Sequence, residues 1–406
     1  MWNVTPVMRV YMYVGMAVAL AVFAWGIWRR VRVWRAGLPE VRTDHWPLRL
    51  RRVLVDAVGQ RVVVRERSAG LAHAALWAGF AVLFGATCIV MAQMDLALPI
   101  AHGRLYLYFV CLGGNIFGAL ALLGLAWLMV RRYLARPAGL ERREPGDALL
   151  LTALFLLLVT GFLLSALRLA ATSDPWAAWR PVALWLSQGL TAALPADSLP
   201  ALHRATWFTH ATLLYVVLAV SPFTKLLHVG TAPLAIYFGN LKAGPDLPAI
   251  AFEDPDAIEV LGVKSALDLT WKQLLDLDAC LECGRCERAC PANASGSPLS
   301  PKWVILTIRD SVRRSTPALL AARAAQRAGS AEREKLRDEL PMLAGGVVEE
   351  DALWACTTCR ACEAACPAGI EHVRLILQLR QNLAMEQAAM PDGIAQLPRQ
   401  LELREH

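Results

Sequence analysis

Residues Ala148–Ala171 read ALLLTALFLLLVTGFLLSALRLAA, an unbroken apolar run whose one charge is Arg168. At about 1.5 Å of rise per residue, a helix of this length crosses the ~30 Å hydrocarbon core of a bilayer. Four more stretches have similar length and character: Arg9–Trp28, Leu71–Met94, Leu105–Val130 and Leu202–Leu227. The chain is therefore expected to cross a membrane five times. The first run is long and is followed by arginines rather than a cleavage site, so it reads as a retained helix and not a signal peptide. Composition agrees. The 406 residues are 56% hydrophobic and 18% charged, against roughly 45–50% and 25% for soluble domains. Disorder is excluded by the same figures. Core helices of a large soluble protein are the alternative, and the distribution of arginine argues against it.

Eleven arginines lie between Arg29 and Arg67, and Arg131, Arg132, Arg136, Arg142 and Arg143 follow the third run. The other two loops hold only Asp95 and Arg104, and Asp174, Arg180 and Asp197. The net charge of +7 thus reads as a topology signal rather than a nucleic-acid surface. Positive loops stay in the cytoplasm, which puts the N-terminus outside and everything after the fifth helix inside a prokaryotic cytoplasmic membrane. The basic segment between the first two helices suits lipid headgroups or an acidic partner.

Near Gly230 the chain changes character. The expected division is a membrane domain over 1–230, a Pro/Gly-punctuated linker over 231–270, a cysteine-rich domain over 271–390 and a tail over 391–406. The insert Ser297–Trp354 looks helical, and Pro317–Leu340 within it reads as solvated helix without a binding role. The fold class is all-α: a five-helix transmembrane bundle followed by a cytoplasmic α-helical dicluster ferredoxin domain.

Eight of the ten cysteines form two runs. Cys280, Cys283, Cys286 and Cys290 precede Pro291; Cys356, Cys359, Cys362 and Cys366 precede Pro367. This C-x2-C-x2-C-x3-C-P pattern places three thiolates around one cubane and sends the fourth to the other. One [4Fe–4S] cluster should take Cys280, Cys283, Cys286 and Cys366, and the second Cys356, Cys359, Cys362 and Cys290. Zinc sites more often use separated C-x2-C pairs, and a disulfide framework does not suit a reducing compartment. Arg285, Arg288 and Arg360 lie inside the runs, to raise cluster potentials or simply to be solvated. Cys88 and Cys111, within helices, read as small hydrophobes.

Polar side chains in a bilayer are costly and usually functional. His73 opens the second helix and His228 closes the fifth, at matched depth, as bis-histidine ligation of a b-type haem requires. His210 lies 18 residues before His228, five turns of an unbroken helix, and so shares its face. A second haem would need an outer partner, for which His102 comes first by elimination, with Met91 or Met94 as thioether alternatives. Interfacial anchoring is the plainer reading for His102 and His203. His45, His372 and His406 sit in polar segments and read as solvated.

Five helices with paired histidines on the second and fifth resemble the cytochrome b gamma subunit of respiratory nitrate reductase. The segments CLECGRCERACPANASGSPLSP (Cys280–Pro301) and WACTTCRACEAACPAGIEH (Trp354–His372) resemble heterodisulfide reductase-like iron–sulfur proteins. Fused in this order, they are similar to membrane proteins exchanging electrons between electron-transfer flavoprotein and menaquinone. His203–His228, with Ser221-Pro222-Phe223-Thr224-Lys225, matches that group's fifth helix. Such proteins typically continue into CCG domains, which are not found up to His406. The resemblance thus implies a separate CCG-domain or flavoprotein subunit, two haems b and menaquinone as substrate.

The expected function is electron transfer between a cytoplasmic redox partner and the membrane quinone, as one subunit of an oxidoreductase complex. A heterodisulfide or sulfur-compound reductase complex is the alternative, and a non-catalytic anchor or redox sensor the third reading. No G-x-G-x-x-G loop opens a helix, so flavin or nicotinamide binding in this chain is not expected.

Overall fold

The computed structural model describes residues 2–100, 102–137, 140, 145–242, 244, 261–325, 335 and 339–396. Among these residues there are helices and no β-strands. Five helices are long and apolar enough to cross a membrane: α1 (Pro6–Trp34), α3 (Arg67–Asp95), α4 (Leu105–Ala135, π-helical at both ends), α5 (Pro145–Ala171) and the helical stretch Ala196–Phe223, whose regular part is α7 (Leu199–Val220). Lipid cannot satisfy backbone N–H and C=O groups, so each span closes its own hydrogen bonds. Short α2 (Trp46–Arg52) precedes α3, and α6 (Pro181–Ala193) precedes α7. The sequence reading takes α6 for part of a loop; thirteen residues are too few to cross a bilayer.

The fifth span departs from expectation in a second way. Pro222 has no N–H to give to the Leu218 carbonyl, which is instead bonded by the Ser221 hydroxyl at 2.9 Å. Two 3-10 turns follow, Ser221–Phe223 and Lys225–Leu227, and His228 opens a new helix, α8 (His228–Tyr237). The helix expected to run from Leu202 to Leu227 is therefore interrupted, and the five-turn count no longer places His210 and His228 on one face.

The chain divides into two compact units, one holding the described residues of Met1–Gly26, Val63–Pro137 and Arg142–Leu226, the other those of Ile27–Val62, Ala138–Glu141 and Leu227–His406. In the first unit, α3 and α4 meet through small residues. A Cβ on Gly79 would fall on the Phe117 carbonyl and Ala121, and one on Gly124 would fall on the Ala72 carbonyl. Membrane helices lack a hydrophobic drive to associate and rely on such close approach. Outward positions such as Val10, Val14 and Val18 of α1 are exposed, as lipid-facing residues should be.

The second unit adds α9 (Trp271–Ala279), α10 (Arg285–Arg288), α11 (Pro291–Ala294), α12 (Pro301–Arg314), α13 (Thr316–Ala325), α14 (Glu350–Trp354), α15 (Ala361–Ala365) and α16 (His372–Met385). Thr270 and Gln273 form a capping box that starts α9, and the Ser300 hydroxyl accepts from Trp303 N to start α12. Helix α12 buries Val304, Ile305, Ile308 and Val312 on one face, and α16 buries Val373, Ile376, Leu379 and Leu383. Helix α13 is not simply solvated, since Leu319 and Ala322 are buried in the same core. Residues 326–334 and 336–338 of the expected helix lie outside the described residues.

The segment between α1 and α2 is built into this second unit. Leu38 N donates to Leu269 O at 2.9 Å, and Trp271 N donates back to Leu38 O at 3.1 Å. Arg42 donates through two nitrogens to Glu371, at 3.0 and 3.3 Å, and Arg374 pairs with Glu40. Arg49 is buried, holding Asp44 and the carbonyls of Tyr237 and Gly239. Much of the basic segment thus finds its acidic and carbonyl partners inside this chain.

Gly79→Leu should force α3 and α4 apart and lower stability by about 1–3 kcal/mol, the usual cost of overpacking. Gly114→Leu, at a position with open space around its Cβ, should leave the detergent-solubilised protein's melting temperature unchanged.

Candidate metal centre

The two cysteine runs fold alike. In each, the residue before the second cysteine and the residue after it are left-handed: Glu282 (φ 58°) and Gly284 (φ 72°), then Thr358 (φ 57°) and Arg360 (φ 62°). Each loop then enters a short helix, α10 or α15, and these two helices pack on each other. An arginine holds the first cysteine's carbonyl in each run: Arg309 donates to Cys280 O at 3.3 Å, and Arg380 to Cys356 O at 2.5 Å. Arg360 stands where the first run has glycine, a conformation that costs a residue with a Cβ roughly 1–2 kcal/mol. It pairs with Glu363 at 2.7 Å.

Cys280, Cys283, Cys286 and Cys366 line one cavity, together with Lys302, Ile370 and His372. The fourth cysteine of the second run therefore faces three of the first. Cys290 in turn lies near enough to Cys356 and Cys362 for its charge to act on both thiols. Burial pushes the Cys280 thiol up to about 11 and those of Cys362 and Cys366 up to about 12, with Cys286 raised further still. Thiols so placed ionise only against a bound cation, which is what cluster iron supplies. The donor set and its cavity fit a [4Fe–4S] group at the first run. Among the described residues no three His, Cys, Asp or Glu side chains converge on a single ion. Cys359 is exposed, and its thiol is lowered by hydrogen bonds from Ala361 N and with Thr357.

The surrounding charges are paired. Glu282, buried, takes Arg309 at 2.5 Å, and Lys302 takes Glu287 at 2.6 Å. Arg285 donates to Val62 O at 3.0 Å and Arg288 to Cys283 O at 3.5 Å. His372 corrects the sequence reading. It is 2% exposed, its Nδ1 lies 3.0 Å from Ile370 O, and burial lowers it to about 4, so it stays neutral. Its signal was available, because it opens the buried stripe of α16 six residues after Cys366.

In the membrane unit, His210 on α7 is half-buried against α5. Its Nδ1 is 2.9 Å from Thr160 Oγ1, and that hydroxyl lies 2.7 Å from Leu156 O. A Thr160 hydroxyl that donates to this carbonyl pairs with the tautomer in which His210 Nδ1–H donates to Oγ1 and Nε2 carries the lone pair. Gly161 leaves room for the ring, whose Cε1 would be 3.3 Å from a Cβ there. Sequence reasoning did not find Thr160. His73, near the start of α3, and His228, at the start of α8, are half-buried in different units. His102 is exposed in the bend before α4. His203 is buried against Trp2, with ring centroids 4.8 Å apart. His45 is exposed, and His406 lies outside the described residues. Cys111 is buried, whereas Cys88 is exposed on α3.

Removing the Glu282 charge should strand Arg309 in a buried site. Glu282→Gln is expected to cost about 3–5 kcal/mol in denaturant unfolding, and Arg309→Met added to it should restore most of that loss.

Comparison with known proteins matches both halves of the chain. The nitrate reductase gamma subunit family matches residues 77–241, a range that includes His210 and His228 but not His73. A 4Fe-4S dicluster domain matches residues 279–370, which hold all eight clustered cysteines. The EtfAB:quinone oxidoreductase of Syntrophomonas wolfei is 32% identical over 95% of this chain and 56% of its own length. The probable iron-sulfur-binding oxidoreductase FadF of Bacillus subtilis is 28% identical over 92% of this chain and 55% of its own. One polypeptide of the dihydromethanophenazine:CoB–CoM heterodisulfide reductase of Methanosarcina barkeri is 31% identical over 32% of this chain and 31% of its own. The chain spans about half the length of the Syntrophomonas wolfei and Bacillus subtilis relatives. No solved structure matches it significantly. The chain thus joins a nitrate reductase gamma-type cytochrome b domain to a 4Fe-4S dicluster domain, and is homologous to EtfAB:quinone oxidoreductase and to heterodisulfide reductase subunits.

Proposed function

We propose that this chain relays electrons between a cytoplasmic redox protein and the membrane quinone pool. The redox protein would be an electron-transfer flavoprotein or a CCG-domain subunit, and the quinone menaquinone. Two [4Fe–4S] clusters and b-type haem, when bound, would supply the one-electron carriers. The observation that carries the reading is Cys366 lining the cavity of the first cysteine run. Two interleaved runs serve a pair of neighbouring centres, and a pair is what an electron relay needs.

Each part of the chain has a stated task in this reading. The eight clustered cysteines donate thiolates in the two sets given above. Arg309 and Arg380 fix the entry of each loop through the carbonyls of Cys280 and Cys356. His73, His210 and His228 are the proposed imidazole donors to haem, with His102 retained as the outer candidate. Thr160 holds His210 in the ligating tautomer. The arginine-rich loops orient the chain with the cysteine domain in the cytoplasm. The name of the Syntrophomonas wolfei relative supports a quinone-linked oxidoreductase, and that of the Bacillus subtilis relative an iron-sulfur-binding oxidoreductase.

The test is cofactor analysis of the purified full chain. About eight non-haem irons and eight acid-labile sulfides per polypeptide are expected, with a reduced-minus-oxidised spectrum of b-type haem. Cys366→Ser should lose close to half the non-haem iron while keeping haem. His210→Ala should lose the haem that His210 holds while keeping the non-haem iron. Thr160→Val should keep haem but shift its midpoint potential, because the ring loses its hydrogen-bond acceptor. A chain without haem would overturn the cytochrome part of the reading, and one with four non-haem irons would overturn the pair.

A further inference from the structure

The arginines after α1 do not all serve the same purpose. Arg30 reaches Asp278 at 3.4 Å, Arg42 holds Glu371, Arg49 holds Asp44 and two carbonyls, and Arg52 donates to Asn240 O at 2.7 Å. Arg32 and Arg35 face elsewhere. With Arg323 of α13, Leu320 and Ala324, they line an open cleft of about 640 Å³. A second hollow of about 420 Å³ shares Arg35 and Arg323 and adds an apolar wall from Val31, Trp34, Pro39 and Trp271. Glu40, at its edge, is already engaged by Arg42 and Arg374.

Position along α1 identifies the ligand class. Trp25 and Trp28 are exposed, and exposed tryptophans on a membrane helix mark the headgroup boundary. The Arg32 guanidinium lies over the Trp28 ring, 4.7 Å from its centroid. At 1.5 Å per residue, Arg32 and Arg35 stand about 6 and 10 Å beyond Trp28, where headgroup phosphates sit. Three guanidiniums on one side and tryptophan and aliphatic walls on the other suit a phosphate that carries an apolar tail. Guanidinium binds phosphate with paired, charge-assisted hydrogen bonds.

We propose that this cleft, formed by Arg32, Arg35 and Arg323, binds the phosphate of an anionic phospholipid such as phosphatidylglycerol. The assignment is independent of iron, haem and quinone. It gives part of the basic segment a lipid ligand, while other arginines of that segment bind the chain itself.

The test is native mass spectrometry of the detergent-solubilised full chain, titrated with phosphatidylglycerol or phosphatidylcholine. Phosphatidylglycerol adducts should form first. Arg35→Gln should weaken them about fivefold, and Arg32→Gln with Arg35→Gln and Arg323→Gln should bring them to the phosphatidylcholine level. Arg51→Gln, on the exposed side of the same segment, should change nothing, and melting temperatures should match throughout. Equal adducts with both lipids, or an unchanged triple variant, would overturn the proposal. Displacement by millimolar inorganic phosphate would assign the arginines to a soluble phosphate and overturn the lipid assignment.

Discussion

The second unit closes around one buried carboxylate. Glu371 accepts two bonds from Arg42 and one from the backbone of Asn240 at 2.7 Å, with Lys272 at 3.8 Å and Arg374 at 3.7 Å. Cations and a backbone donor hold its carboxyl below the usual range despite burial. Asp276, which takes Lys272 at 2.5 Å and the Glu371 amide at 3.3 Å, is instead raised to about 6. A buried ion is tolerated only when its charge and lone pairs are met. Here they are met by the segment after α1, the chain after α8, helix α9 and helix α16. Glu371 stands in the chain between Cys366 and the first residue of α16, so the same anchor positions the second run's last ligand.

The membrane unit is organised by different rules. Contact between α3 and α4 depends on the absence of side chains at Gly79 and Gly124 rather than on the attraction of apolar groups to each other. The paired charges within it lie toward helix ends, as with Asp147 between Arg132 and Lys225, or Asp174 between Arg168 and Arg180. Against this background the Thr160–His210 bond stands out as a polar contact near the middle of its helices. A hydroxyl shared between the Leu156 carbonyl and the His210 ring gives a flexible imidazole a fixed direction.

Much of this was legible in the sequence because the signals were local. Hydropathy over twenty-odd residues marks a span, and cysteines three or four apart mark a loop around a cluster. The Pro222 break was equally local, yet continuous hydropathy across Leu202–Leu227 concealed it, since apolarity says nothing about a missing N–H. What could not be read were pairings across long separations. Arg42 and Glu371 are 329 residues apart, so the arginines appeared as an undifferentiated basic loop. His372 looked solvated because its neighbours in sequence are polar, whereas its neighbours in space are the Cys366 loop and the α16 core.

The wrapping of Ile27–Val62 into the second unit has a consequence for biosynthesis. A ribosome adding about 5–20 residues per second takes roughly 15–70 seconds to go from Arg42 to Glu371. Throughout that interval Arg42 has emerged, while its partner Glu371 does not yet exist. Nascent-chain folding of this region therefore runs backward in time, the later-made helix α16 capturing the earlier-made loop. A fragment beginning after the fifth span would lack the wall that Leu38, Glu40 and Arg42 provide, so the cysteine domain is not a unit that can be cut out by sequence position alone.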